Sequence, residues 1–186
     1  MRVLIYSEIH QNVVSSTARE LVTLARQLAG AGGRVEALLA HVSAEKLAKD
    51  VSSVDEVVIM KHEALAQYNP EAQLGCLIAA VVARKPDLVL LAYTSVGLDL
   101  GPALSARLGW PMASYCTGAE LAADDIIASC QIYGGKLTAS ISLKLPAVIM
   151  MTPGSAVEDT GPPPAEVTTL LTPTFDELKV RVLELA

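Results

Sequence analysis

Leu88-Val89-Leu90-Leu91-Ala92-Tyr93-Thr94-Ser95-Val96-Gly97-Leu98-Asp99-Leu100-Gly101-Pro102 is the stretch that decides the fold. An apolar run, Leu88 to Ala92, follows Lys85-Pro86-Asp87, then breaks into a polar, Gly-containing segment and a helical pattern. A run this short, apolar on both faces and closed by turn residues, suits a strand buried in a parallel sheet. In open parallel sheets ligands bind outside the carboxyl ends of the strands. Tyr93, Thr94, Ser95, Gly97 and Asp99 therefore fall where a ligand or partner would be met.

The flanking sequence repeats that alternation. Strands are predicted at Val3 to Tyr6, Val35 to Ala40 and Val54 to Met60, and a short one at Trp110 to Ser114. Ser15-Ser16-Thr17 offer N-caps to a helix that Gly30, Gly32 and Gly33 end, and Ser43 caps a short helix through Lys49. Asn69-Pro70 opens a helix that Arg84-Lys85 close, and Leu100 to Leu108 make a short one closed by Gly109. The order β-α-β-α-β calls for right-handed crossovers and a parallel sheet. Ile126 to Ile132 and Leu137 to Leu143 flank Tyr133-Gly134-Gly135-Lys136, which reads as a hairpin. This antiparallel annex, with Ala147 to Met151 after Pro146, is expected to complete one edge. Residues 1–151 thus read as one α/β domain. Residues 152–186, which begin rich in Pro, Gly, Thr and acid, read as a linker and C-terminal docking arm. The end, Phe175 to Ala186, fits a strand or a helix.

Composition narrows the function. At 186 residues with 52% hydrophobic side chains, the chain can bury a sizeable core; at 4% aromatic, Ala, Val and Leu must fill it. A net charge of −6 argues against nucleic acid, which needs a basic face. No apolar run approaches the roughly 18 residues of a spanning helix, and the N-terminus turns polar too soon for a signal peptide, so a cytoplasmic protein is expected. Cys76, Cys116 and Cys130 are far apart and form no CxxC pair, which suits reduced thiols.

The segment from Thr94 to Asp99 is the best candidate site. Its hydroxyls and the free N–H groups of a helix start can hold a phosphate, and Gly97 permits a close backbone approach. The plain alternative is an ordinary βα turn with Asp99 as the cap. A Walker A loop and a GxGxxG opening a helix are both absent; Gly30 to Gly33 end a helix instead. His10, His41 and His62 are scattered, although His10 and His41 both follow predicted strands. They read as loop residues rather than metal ligands. Asp124-Asp125 read as a solvated turn, Cys130 as a small core residue, and no nucleophile elbow appears. Positive signs of an enzyme are thin.

Thr94-Ser95-Val96-Gly97-Leu98-Asp99-Leu100-Gly101-Pro102, followed by Ala106-Arg107-Leu108-Gly109, resembles the alpha subunit of electron transfer flavoproteins. That family carries a Thr-Ser-x-Gly-x-Asp-Leu-x-Pro run after its fourth strand. Lys85-Pro86-Asp87-Leu88-Val89-Leu90, Ile132-Tyr133-Gly134-Gly135 and Thr152-Pro153-Gly154 fall in the family's order. Leu108-Gly109-Trp110-Pro111 and Lys144-Leu145-Pro146-Ala147-Val148 look more like the beta subunit. The resemblance implies a three-layer α/β sandwich with a mainly parallel, nucleotide-binding-type (adenine nucleotide alpha hydrolase-like) sheet. It implies a scaffold or docking subunit in flavin-based electron transfer, partnered by a beta-like subunit or a second copy of itself. FAD in the family sits mainly in a further C-terminal domain of the alpha subunit, so none is expected to bind here unless a partner supplies that domain. AMP, which the beta subunit's equivalent domain holds, stays open, as does a stand-alone adenine nucleotide module. The cofactor-facing set would be Tyr6, Ser7, His41, Thr94, Ser95, Val96, Gly97 and Asp99. Three residues depart from the pattern: Cys130 and Thr152 stand where arginines are usual, and Tyr115 where an aspartate is.

Overall fold

The computed structural model describes residues 1–175 and 177–180. The chain opens with β1 (Arg2–Tyr6), then a small hairpin of β2 (Ile9–His10) and β3 (Val13–Val14), then α1 (Ser16–Ala29). β4 (Arg34–Ala40), the short α2 (Ala44–Leu47) and β5 (Glu56–Met60) follow. Next come α3 (Pro70–Arg84), β6 (Leu88–Ala92) and α4 (Ser95–Leu108). The second half is β7 (Met112–Ala122), β8 (Asp125–Ile132), β9 (Leu137–Lys144), β10 (Ala147–Met151) and β11 (Glu166–Thr169).

Among the described residues nine strands form one sheet, in the order β11-β5-β4-β1-β6-β10-β7-β8-β9. Pairing is parallel from β11 through β7 and antiparallel across β7, β8 and β9. The strand order reverses between β1 and β6, which are direct neighbours. That switch opens a crevice at the strands' carboxyl ends.

Both faces of the central strands are apolar, and the period of two assigns each residue to a layer. Val3, Ile5, Leu88 and Leu90 pack on one side with Leu21, Ala25 and Leu28 of α1. Leu4, Val89 and Leu91 pack on the other with Leu77 and Val81 of α3 and Leu100 and Leu104 of α4. The result is the expected three-layer α/β sandwich with its antiparallel annex.

Local chemistry sets the helix ends. The Ser15 hydroxyl accepts from the Ala18 N–H at 3.2 Å, and Asn69 Oδ1 accepts from Glu71 and Ala72, each at 3.1 Å. Gly109 ends α4 at φ 67°. In the hairpin after β1, Gln11 and Asn12 take φ 50° and 61°, the twist a tight two-residue turn needs.

Four expectations need correction. The supposed loop at 94–99 is the first turn of α4, because Thr94 caps the helix and starts it at Ser95 rather than Leu100. The short strand at 110–114 is the long β7, held by a full ladder to β8 and bent by a bulge after Cys116. Ala147–Met151 is no annex strand but inserts parallel between β6 and β7. The stretch 9–14, where no strand was predicted, forms the β2–β3 hairpin.

The Pro-rich segment returns to the domain. β11 pairs with β5 at the sheet edge opposite the annex. Beyond it, Asn69 Nδ2 donates to the Val180 carbonyl at 2.9 Å, and Glu71 Oε2 accepts from the Lys179 N–H at 2.6 Å. Of the end left open between strand and helix, residues 176 and 181–186 lie outside the described residues.

Candidate functional site

The rim of the sheet at the β1–β6 switch holds a crevice of about 310 Å³. Its walls come from the end of β1, the β2–β3 hairpin, the end of β4, the turn before α3, α3 itself and the start of α4. Each arrives there because a parallel strand releases the chain at the same edge.

Tyr6, the last residue of β1, donates its buried hydroxyl to Gln73 Oε1 at 2.9 Å, and Gln73 Nε2 donates to the Ala40 carbonyl at 3.1 Å. Burial, then the nearby Glu8 charge, push the Tyr6 phenol well above its ordinary value, so it stays a neutral donor. His41, just past β4, accepts the Ser43 N–H on Nδ1 at 3.1 Å, which leaves Nε2 to carry the proton of the neutral ring. Burial lowers its pKa and favours that neutral form.

Ser7 and Glu8 continue β1 inward and are each only 2% exposed. The Ser7 hydroxyl lines the crevice and has no hydrogen-bond partner among the described residues. Glu8 Oε1 accepts from the Thr94 hydroxyl at 2.5 Å, and Oε2 lies 3.2 Å from His10 Nε2. Burial raises the Glu8 pKa, an effect the Thr94 and His10 contacts reduce without cancelling. Thr94 in turn accepts the Gly97 N–H at 3.1 Å. A single hydroxyl therefore links the carboxylate of β1 to the N-terminus of α4.

Tyr6, Ser7, His41 and Val96 line the crevice directly. Thr94 stands behind Glu8. Ser95 and Asp99 are exposed outside the crevice lining, and Asp99 accepts from the Tyr68 hydroxyl at 3.1 Å rather than capping the helix. Gly97 is buried, and a Cβ there would overlap the Ala92 carbonyl oxygen. Its role is to let α4 sit tightly on the end of β6. Sequence reasoning missed Glu8 and Gln73. Glu8 had the same signal as Thr94, a polar residue directly after a buried strand. Gln73 is a lone amide among the apolar positions of α3.

The three departures noted in the sequence converge on Cys116. Cys130 faces it across β7 and β8 with the sulfurs 3.2 Å apart, and the Thr152 N–H donates to its carbonyl at 2.7 Å. Tyr115 precedes it at φ 56° and stacks on Tyr93 with centroids 4.9 Å apart. Among the described residues no three His, Cys, Asp or Glu side chains gather as a metal site, and no helix is long and apolar enough to cross a membrane.

Comparison with known proteins agrees with the geometry. A family model for the "Electron transfer flavoprotein domain" matches residues 3–173. The electron transfer flavoprotein subunit alpha of Clostridium acetobutylicum is 28% identical over 142 residues, covering 74% of this chain and 42% of that protein. The subunit alpha of Thermoanaerobacterium thermosaccharolyticum is 28% identical over 156 residues, 81% of this chain and 47% of that protein. The acryloyl-CoA reductase electron transfer subunit beta of Anaerotignum propionicum is 31% identical over 121 residues, 63% of this chain and 33% of that protein. The chain spans less than half the length of these curated relatives.

Proposed function

The chain belongs to the electron transfer flavoprotein domain family, and from that premise we propose that it is a scaffold or docking subunit in flavin-based electron transfer that holds no FAD of its own. The observation that carries this reading is the size of the rim crevice. At about 310 Å³ it sits at the bottom of the roughly 300–1,000 Å³ range of ligand pockets, which suits a small ligand better than a whole dinucleotide. Electrons would then pass through a flavin held elsewhere, with this domain positioning the partner that carries it.

The annex is the surface that would meet the partner. Tyr133 is 76% exposed, Leu137 56% and Leu121 48%, and all three lie on the β7–β9 meander. β9 is also the outermost strand, with one row of backbone groups unpaired in the sheet. A beta-like subunit is the favoured partner, a second copy of this chain the other. The cytoplasm is the compartment this role implies.

Co-expression with a beta-like electron transfer flavoprotein subunit tests the proposal. The expected result is a stable complex by size exclusion, colourless when this chain is purified alone, and weakened by Tyr133→Asp or Leu137→Asp. Stoichiometric flavin absorbance in the chain alone would contradict it. A stand-alone adenine nucleotide (AMP/ATP) module is the second reading, favoured by the crevice's position at the switch in strand order. AMP released on denaturing the purified chain would support it.

A further inference from the structure

The crevice has the place of an anion site but not the charge of one. Val96, in the first turn of α4, lines it, and the helix cap Thr94 bonds Glu8 of the lining, so the positive end of that helix lies beside the cavity. An external phosphate would ordinarily be drawn there. Among the described residues no lysine or arginine lines the cavity. Its anionic side chain, Glu8, is 2% exposed and tied to the helix cap by the 2.5 Å bond from Thr94. Ser7, also 2% exposed, lines the same cavity, and its hydroxyl has no hydrogen-bond partner among the described residues, which marks a position left for a ligand group.

We propose that the Glu8 carboxylate serves as an internal anion at the start of α4, so that the crevice rejects phosphates and takes a small, non-anionic molecule with hydrogen-bond donors. Such a ligand meets acceptors at Glu8 and Ser7 and amides at Asn12 and Gln67. A phosphate placed at the helix end would lie beside a buried carboxylate whose one ionisable partner among the described residues is the exposed His10. The helix field and the Thr94 hydroxyl already serve Glu8, so a second anion gains little there and is repelled.

The role stands apart from partner docking: loss of partner capture leaves the following titration unchanged. Calorimetric binding of inorganic phosphate, AMP and adenosine is measured for the wild-type chain and for Glu8→Gln. AMP and adenosine differ only in the phosphate, so their comparison isolates charge. The expected result is that Glu8→Gln gains about tenfold or more in affinity for AMP or phosphate while adenosine is unchanged. If Glu8→Gln does not fold, judged by its circular dichroism, Glu8→Ser takes its place. The proposal is overturned if the variant gains nothing for either anion, if adenosine gains as much as AMP, or if the wild type binds AMP more tightly than adenosine.

Discussion

The two ends of the sheet both hold buried glutamates, and they treat them in opposite ways. At the amino ends of the strands, Glu36 of β4 and Glu56 of β5 are register partners, 1% and 2% exposed. Two like charges directly opposite would force the strands apart. Arg34 prevents this by donating to Glu36 at 2.8 Å and to Glu56 at 2.5 Å, with Arg84 closing on Glu56 and Arg2 reaching Glu36 at 3.3 Å. At the carboxyl ends Glu8 is equally buried but among the described residues has only the Thr94 hydroxyl and the half-exposed His10. Burial would raise the Glu56 pKa, yet Thr168 and the two arginines bring it below its ordinary value. Burial wins at Glu8. One rim matches its charges internally and holds strands together; the other leaves a charge facing a cavity, as binding sites do.

The comparison can be broken most forcefully at the amino-end rim. Replacing Arg84 by Met leaves Glu56 short of a cation in the interior, and a loss of about 3 kcal/mol is expected in urea unfolding. Arg34→Met is expected to cost less, because 40% of that side chain is in water, where ion pairs are screened. An unchanged midpoint in Arg84→Met would mean that the cluster does not hold the sheet.

Packing at the other rim is next in size. Gly97→Ala drives a methyl group into the Ala92 carbonyl and is expected to cost about 2 kcal/mol. At Gly101 the obstacle is the flexible Met150 side chain, so Gly101→Ala is expected to cost about 1 kcal/mol. Equal losses by thermal unfolding would show that the close approach of α4 to β6 is not special.

The two kinds of glutamate also predict opposite pH behaviour. The Glu8 pKa is higher folded than unfolded, so its contribution is fully present below its ordinary 4.5 and is lost as pH rises through the folded value. Glu8→Gln should therefore gain stability relative to wild type as pH increases from about 4.5. The Glu56 pKa is lower folded, so its contribution is present above 4.5 and lost as pH falls through the folded value. The wild-type advantage over Glu56→Gln should shrink on acidification below that point. Parallel pH profiles for the two variants would remove the contrast. The smallest effect concerns the thiols. Burial pushes Cys76 up to about 12 and Cys116 higher still, so neither should react with a thiol reagent at neutral pH until the protein unfolds.

Much of this was legible before any coordinates. The strand at 88–92 announced itself because burial on both faces leaves an unbroken apolar run, and the caps at Ser15, Asn69 and Gly109 because few residue types can fill them. The start of α4 was hidden: Thr-Ser-x-Gly reads as a loop unless Thr94 is known to turn its hydroxyl onto the Gly97 N–H. Strand β7 was cut short because its outer half, from Thr117 to Ala122, has no fully buried residue and so lacks a strong apolar signal. The site was half visible. Tyr6, Ser7, His41 and Val96 follow from the strand-end rule, but the meeting of Glu8 with Thr94 joins residues 86 positions apart, and no local pattern reports that. The three departures from the family pattern looked unrelated in sequence and meet at Cys116 because β8 pairs with β7 on one side and β10 lies beside it on the other.

Native mass spectrometry of the purified chain, alone and mixed with a beta-like subunit, tests most directly whether this domain docks a flavin carrier without binding flavin. The account predicts a bare mass for the chain alone and a mass for the mixture equal to both subunits together. A stoichiometric FAD adduct on the chain alone, with no complex in the mixture, would contradict it.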